Sequence, residues 1–521
     1  MSRTVPRRSP PLLRRHRLRN LVRVAGLFGT LAVLVTACGG GGGGAEGNVN
    51  VPRTGGELRV TGAHDLNHLD PLYASTVEEH AVLPQMYDSL LHENRNLDLV
   101  PGLATSWRYT DPATLVLTLR QNVTFGDGSR LDAGVVKFNL ERARGAAGSP
   151  RRDELSSISS VGVDGPDRVT LHLGHPDSAL LSNLAGEAGM LVSPRAVESA
   201  PNETSFDRNP IGAGSGPFQY YEWRPGDHLI MLANGRYWGQ RPYVHQLTYA
   251  PDPNLHSQFD DLRNGFQNVQ RSIARDDIPS AQHDPAVSVS WQQGTEYTGI
   301  ELNNVAGPFA NVSDRQAVAG SIDRMAVVDR DLQGIDTPAS GVIPPRSWAF
   351  DASLSAPGRT LGTASGLSFT LKTDTLEQDL DVAQTLQSQL RAAGITMRIQ
   401  PEDSRTLQQE LQMHRFDAAL VATPGGVDPD QNLYKQFHSG GSLNYGQFSD
   451  PVVDSDLDRA RLTTDQSQRK ALYDDAQRRL VSTAGFVPLT FPPAFDVHNW
   501  TVRGYAMYPN GVWQLNGTWM P

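Results

Sequence analysis

The sequence has only one cysteine, Cys38, so no disulfide bond can form within the chain. After residue 37 no apolar stretch reaches the about 20 residues that a membrane-spanning helix needs. Basic residues are in the minority, because 46 Lys and Arg stand against 56 Asp and Glu, giving a net charge of -10. This balance disfavours a phosphate-binding face, so we expect no nucleic acid partner.

The composition and the length of the chain indicate a globular protein of more than one lobe. Hydrophobic residues make up 38% of the chain, charged residues 20% and aromatic residues 7%, which is typical of a folded body. The 521 residues exceed what one hydrophobic core ordinarily serves. We therefore expect at least two lobes.

The N-terminus differs in composition from the rest of the chain. Its first 37 residues carry eight arginines and no acid, so the remainder has a net charge of -18. A short apolar run over residues 24–36 follows the arginines and ends at Ala37 and Cys38. This run is too short to cross a bilayer. The basic residues before it and the small residues after it are typical of a cleaved export signal. We predict a signal peptide over residues 1–37.

Residues 35–38 read Val-Thr-Ala-Cys, which resembles the lipobox of bacterial lipoproteins. That resemblance implies that the thiol of Cys38 receives a diacylglycerol and becomes the new N-terminus; the alternative is a stray cysteine behind an ordinary signal. Gly39 to Gly44 are six consecutive glycines, and the sequence stays polar to about Thr54. We predict a flexible tether over residues 38–54, spanning roughly 20 to 25 Å. The protein is then expected on the extracytoplasmic face of the cell membrane, held by its lipid.

The most informative pattern begins at Thr375. Leucines and alanines repeat at helical spacing over residues 376–393 until Gly394, and residues 395–399 then alternate as a strand. A second helix is marked by Leu407 and Leu411, and the apolar run 416–421 reads as a buried strand. Helix, strand, helix and strand in this order predict a parallel sheet.

In open α/β sheets, ligands bind beyond the carboxyl ends of the strands. The loop over residues 423–429 follows the second predicted strand, so it is a candidate ligand loop, with Thr423, Gly425 and Asp428 as its candidate residues. The alternative interpretation is a plain turn rich in glycine and proline.

Motifs for catalysis or metal binding are weak. His64 and His68 are four residues apart, but their segment ends in Asp-Pro and reads as a loop, so a structural or pocket-lining role is favoured over a metal site. Residues 212–216, Gly-Ala-Gly-Ser-Gly, fit neither a nucleophile elbow nor a dinucleotide fingerprint. We predict no enzyme activity, no cofactor and no metal.

Several motifs together, in a fixed order, resemble family 5 of the bacterial extracellular solute-binding proteins, the dipeptide, oligopeptide and nickel binders of ABC importers. The similarity covers about residues 56–520. The segments that carry it are 69–71, 87–90, 100–107, 119–142, 210–218, 234–242, 300–323, 416–430, 448–451 and 469–480.

This resemblance implies an α/β type II periplasmic-binding-protein fold with two lobes joined by a hinge. Lobe one would comprise residues 55–298 and 488–521, with an extra β-rich subdomain at about 93–205, and lobe two residues 299–487. A peptide or another small molecule would lie between the lobes, and the implied partner is an ABC permease in the membrane. We expect a monomer.

The candidate ligand loop departs from the pattern of peptide-binding relatives. Aligned on Asp428, the aspartate that pairs with a peptide's ammonium in those relatives is Gly425 here, and the usual tryptophan is Ala422. Another acid, Asp428 or Asp65, would have to replace it. The further pocket candidates are His64, Trp291 and Tyr445.

Three functional hypotheses follow from the sequence. The first is an importer's receptor for peptides or similar small polar solutes, and we favour it. The second is an envelope lipoprotein that keeps this fold but senses a glycolipid or a protein partner. The third is a hydrolase, whose Ser-His-Asp triad would leave no local signature.

Overall fold

The computed structural model describes residues 51–355, 366–426 and 428–521. The predicted signal peptide, Cys38 and the tether up to residue 50 lie outside the described residues, so those predictions stay predictions.

The β-strands, numbered in chain order, are β1 (Glu57–Gly62), β2 (Leu91–Glu93), β3 (Leu99–Pro101), β4 (Ala104–Asp111), β5 (Thr114–Leu119), β6 (Ile158–Val163), β7 (Arg168–Leu173), β8 (Phe218–Arg224), β9 (His228–Ala233), β10 (Gln246–Pro251), β11 (Val269–Gln270), β12 (Val287–Gln293), β13 (Tyr297–Leu302), β14 (Thr337–Pro338), β15 (Ser368–Thr373), β16 (Thr396–Pro401), β17 (Ala418–Thr423), β18 (Phe486–Phe491) and β19 (Pro493–Asn499).

The α-helices are α1 (Val77–Met86), α2 (Ala133–Gly145), α3 (Arg151–Glu154), α4 (Leu180–Asn183), α5 (Pro194–Ser199), α6 (Glu203–Arg208), α7 (Leu255–Arg263), α8 (Ile278–His283), α9 (Val312–Ser321), α10 (Arg324–Asp331), α11 (Glu377–Ala392), α12 (Ser404–Gln412), α13 (Asp430–Phe437), α14 (Pro451–Leu462) and α15 (Gln466–Thr483). Short 3-10 helices cover Glu187–Gly189, Arg275–Asp277 and Gly307–Ala310.

Two large sheets organise the molecule. The seven-stranded sheet has the order β12-β19-β11-β1-β10-β9-β8, and the six-stranded sheet has the order β14-β18-β13-β17-β15-β16. The chain passes from the first sheet to the second between β12 and β13 and returns between β18 and β19. We call residues 51–293 and 493–521 lobe one and residues 297–491 lobe two.

The return crossing corrects the predicted lobe boundary. Strand β18 pairs with β13 in the six-stranded sheet, whereas β19 pairs with β12 in the seven-stranded sheet. The boundary predicted between residues 487 and 488 therefore falls inside β18, and the crossing lies at Pro492. The outward crossing, by which the chain passes from lobe one to lobe two, comprises residues 294–296 and precedes the predicted boundary at residue 298.

A third sheet, antiparallel with the order β4-β5-β7-β6, lies within the predicted subdomain of lobe one. Helix α2 covers it, and the side chain of Asp132 caps this helix by accepting a hydrogen bond from the backbone of Val135. Val136, Leu140 and Ala143 of α2 are buried in the same core. The cap and the apolar face together position α2 against the third sheet.

The predicted helix–strand–helix–strand unit is α11, β16, α12 and β17. Helix α11 ends just before Gly394, as predicted, and Gly394 has a φ of 81° that suits glycine. Strand β15 runs parallel to both β16 and β17, as expected. The sheet as a whole is mixed, because β13 pairs antiparallel to both β17 and β18.

Every helix in the described ranges is too short or too polar to cross a lipid bilayer.

Candidate functional site

A cavity of about 360 Å³ lies between the two lobes. Lobe one supplies most of its wall, from α1, β2, α3, the segment 183–190, residues 237–240 and the C-terminal segment 508–516. Lobe two supplies residues 424–426 after β17 and part of α13. The volume is within the range of pockets that hold small organic ligands.

The loop after β17 reaches the cavity wall, as the position of ligands in α/β sheets predicts. Gly425 lies against the outward crossing, where its carbonyl oxygen accepts a hydrogen bond of 3.0 Å from the hydroxyl of Thr295. A Cβ atom placed on Gly425 would lie 1.6 Å from the carbonyl oxygen of Thr295. Only glycine fits this position, so no side chain can reach the ligand from it.

Charged side chains form a network on one side of the cavity. Glu187 lies 2.6 Å from the imidazole of His80 and 3.1 Å from the guanidinium of Arg151. Burial alone would lower the pKa of His80, but Glu187 outweighs it and raises that pKa. Glu154, also on lobe one, pairs at 2.7 Å with Lys435 on lobe two. This last ion pair spans the two lobes at the cavity.

Asp88 is the centre of a second polar group. It is buried, and its carboxylate accepts hydrogen bonds from the indole of Trp238 at 2.7 Å and from the hydroxyl of Tyr237 at 3.2 Å. The Nε2 atom of His92 lies 3.4 Å from the same carboxylate. The carboxylate of Asp88 thus holds two aromatic rings at the cavity wall.

Glu93, the last residue of β2, lines the cavity without a basic partner among the described residues. Its Oε2 atom accepts a hydrogen bond of 2.8 Å from the side chain of Asn510, and no basic side chain of the described residues lies within ion-pair distance of it. Burial raises the pKa of Glu93 to about 7, although the charge of His80 and the Asn510 bond oppose the rise.

Of the residues predicted from sequence, His64 and Asp65 lie at the seam between the lobes, away from the cavity wall. His64 is 3.0 Å from Glu78 of lobe one and 3.2 Å from Asp374 of lobe two. Asp65 is 3.3 Å from Arg405 of lobe two. Both side chains therefore connect the lobes, and Asp65 has a cationic partner in Arg405.

Asp428 is also engaged elsewhere. Arg469 donates to both of its carboxylate oxygens, at 2.7 and 2.8 Å, in a buried bidentate pair. Burial raises the pKa of Asp428, and Arg469 opposes that rise. The carboxylate is a structural anchor of the loop, so its proposed ligand role is not supported.

The other three candidates lie outside the cavity wall. The hydroxyl of Thr423 accepts a hydrogen bond from Gln436, and the hydroxyl of Tyr445 accepts one from Gln408. Trp291 has 66% of its surface exposed, on the edge strand β12. Only Gly425 of the predicted ligand-binding residues lines the cavity.

A further polar group lies at a second cleft between the lobes. The ligand atoms of His256, Asp276 and Asp277 lie within 4.8 Å of one another, close enough to hold a cation. Asp276 and His256 are solvent-accessible, and His256 already pairs with Asp277 at 2.7 Å. Such exposed groups are common without a metal, and we assign none.

Polar contacts join the lobes beyond the cavity. Arg275 of lobe one pairs with Asp336 of lobe two at 2.9 Å, and Arg461 of lobe two donates to the hydroxyl of Ser156 of lobe one at 3.2 Å. Apolar contact across the seam includes a small buried cluster in which Leu376 of lobe two meets Ala63, Leu255 and Ala274 of lobe one.

This architecture agrees with what comparison with known proteins shows. The model of the bacterial extracellular solute-binding proteins, family 5 middle region, matches residues 98–444. The chain belongs to this family. Its fold is the type II periplasmic-binding fold with two lobes, as predicted. Because the members of family 5 bind solutes, the chain is a binding protein and not an enzyme.

Individual relatives cover most of the chain. The glutathione-binding protein GsiB of Salmonella paratyphi A is 27% identical over an alignment of 470 residues that covers 85% of this chain and 90% of that protein. The periplasmic binding protein DppA of Helicobacter pylori, solved with the peptide STSA, is 22% identical with a TM-score of 0.83 and covers 90% of this chain and 98% of its own. The dipeptide-binding protein of Pseudoalteromonas, solved with Met-Leu, is 21% identical with a TM-score of 0.82, covering 89% and 100%.

The acids and aromatic residues that line the cavity were not predicted from the sequence. Asp88, Glu93 and Trp238 reach the cavity from separate parts of lobe one, and Lys435 reaches it from lobe two. The only local signals were segments 87–90 and 234–242, which contain Asp88 and Trp238 but say nothing of their partners.

Proposed function

We propose that the chain is the lipid-anchored substrate-binding protein of an ABC importer, which takes up a peptide or similar small polar solute between its lobes and delivers it to a membrane permease. Family membership supports solute binding. The observation that carries the rest is the cavity between two lobes that are joined by ion pairs and hydrogen bonds around it.

The chemistry of the cavity favours a polar, zwitterionic ligand over an apolar one. Carboxylates, an arginine, a lysine and two histidines line it, together with the aromatic faces of Tyr237 and Trp238. Charged groups of both signs suit a molecule that carries an ammonium and a carboxylate, since buried charges require partners.

Binding would favour closure through contacts made only when both lobes meet the ligand. The pair between Glu154 and Lys435 lies at the cavity and spans the lobes, so it forms fully only in the closed state. A ligand that binds the closed state better shifts the population toward it, and a permease can then recognise the closed shape.

Native mass spectrometry and calorimetry of the purified protein test this function. The probes are glutathione, Ser-Thr-Ser-Ala and Met-Leu, the ligands named for its relatives. We expect at least one probe to bind with a stoichiometry of one and to reduce the radius of gyration in solution scattering. A purified protein that binds none of them and co-purifies with a protein partner would support the envelope-sensor hypothesis instead.

A further inference from the structure

The four carboxylates of the cavity wall differ in how their charge is compensated. Glu187 has His80 and Arg151, and Glu154 has Lys435, within 3.1 Å. Asp88 accepts two hydrogen bonds and lies 3.4 Å from His92. Glu93 has a single neutral donor.

The available oxygen of Glu93 is Oε1. Asn510 donates to Oε2, and within the described residues no donor contacts Oε1. The basic group that acts most strongly on Glu93, His80, is already bound to Glu187 at 2.6 Å. Glu93 therefore faces the cavity with an unoccupied acceptor and, among the described residues, without an ion-pair partner of its own.

Among the described residues, the cavity wall of lobe two offers no alternative acid. Gly425 occupies the position of the ammonium-binding aspartate of peptide-binding relatives, and the Thr295 carbonyl oxygen fills the space that a side chain would need. Asp428 is bound by Arg469, and Asp65 lies at the seam beside Arg405. Recognition of a cation must then come from lobe one.

We propose that Glu93 binds the cationic group of the ligand, an α-ammonium or a similar amine, through its Oε1 atom. This assignment rests on the proposed function and specifies it: the ligand's amine is held by lobe one before closure, and not by the loop of lobe two. The raised pKa of Glu93 is consistent with a carboxylate that lacks its counter-ion.

The size of the effect follows from the strength of charge-assisted hydrogen bonds. Removing one such bond between a buried carboxylate and an ammonium weakens binding by about 10- to 100-fold. Neutralising Glu93 as glutamine keeps the size of the side chain and the contact with Asn510, so the folded structure should change little.

The test compares Glu93→Gln with wild type and with Glu198→Gln, a control that removes the same charge from an exposed residue of α5 without an ion pair. Calorimetry uses the tightest binder among Met-Leu, Ser-Thr-Ser-Ala and glutathione, and the N-acetylated form of that same compound.

We expect wild type and Glu198→Gln to prefer the free amine over the acetylated compound by about 10-fold or more, and Glu93→Gln to lose that preference while still binding the acetylated compound. If wild type binds both compounds equally, or if Glu93→Gln retains the preference, Glu93 is not the amine partner although the proposed function stands. If wild type binds none of the probes, the proposed function and this assignment fail together.

Discussion

The ion pairs of His64 make the link between the lobes testable by one substitution, Asp374→Asn. The imidazole is held between two buried carboxylates, Glu78 on its own lobe at 3.0 Å and Asp374 on the other lobe at 3.2 Å. Burial disfavours the charged ring, but the two carboxylates outweigh it and raise the pKa of His64 well above 6.5. The ring is therefore charged at neutral pH, and the substitution removes only the partner on lobe two.

The magnitude follows from Coulomb's law and desolvation. Two unit charges 3.2 Å apart attract by about 5 kcal/mol at an effective dielectric constant of 20. Desolvation of both groups offsets much of this attraction. We expect a net loss of about 1 to 2 kcal/mol from the closed state, which is roughly a 5- to 30-fold shift toward the open state.

Solution scattering and single-molecule energy transfer between labels on the two lobes measure this shift. Asp374→Asn should raise the open fraction without ligand and weaken ligand binding by the same factor, because the apparent affinity scales with the competent population. The matched control is Asp329→Asn, which neutralises an exposed aspartate of α10 that forms no ion pair. Equal open fractions and affinities in wild type and Asp374→Asn would refute the reasoning.

The same link predicts a pH dependence with a definite sign. Because the pKa of His64 is raised on pairing, its contribution to closure is fully present below about pH 6.5 and is lost as the pH rises through the raised value. In wild type the open fraction should increase toward alkaline pH. In Asp374→Asn this increase should be smaller, since Glu78 is then the only paired carboxylate, and it lies on the same lobe as His64.

Three other changes have expected outcomes. Cys38→Ala should abolish metabolic labelling by an alkyne fatty acid, and equal labelling of both proteins would contradict lipidation. Arg469→Met leaves the carboxylate of Asp428 buried without its partner and should lower the free energy of unfolding in urea by about 3 to 5 kcal/mol. The control Arg478→Met, on the exposed side of the same helix, should lower it by less than about 1 kcal/mol. Similar losses in the two variants would contradict a stabilising role of the buried pair. Gly425→Ala should lower the melting temperature, because overpacking against Thr295 lowers the free energy of unfolding by about 1 to 3 kcal/mol. An unchanged melting temperature would show that the backbone at Thr295 moves to accommodate the added methyl group.

The parts of the fold that the sequence predicted are those with strong local patterns. The apolar repeat of α11 and its end at Gly394 depend on neighbours within a few residues, so the pattern alone specifies them. The position of Gly425 at the cavity followed from a general rule of α/β sheets.

The partners of the cavity residues depend on contacts between distant parts of the chain. Glu154 and Lys435 are 281 residues apart, and Glu93 and Asn510 are 417 residues apart. No local signature marks such pairs. Trp291 illustrates a related difficulty. Side chains alternate between the two faces of a strand, but the sequence pattern does not show which face is exposed to solvent.

The position of β19 has a consequence for biogenesis. This strand is inserted between β11 and β12 of lobe one, yet it follows the whole of lobe two in the chain, whereas lobe two is one continuous stretch. The sheet of lobe one therefore stays divided until lobe two has been synthesised, and a nascent chain cannot complete it earlier.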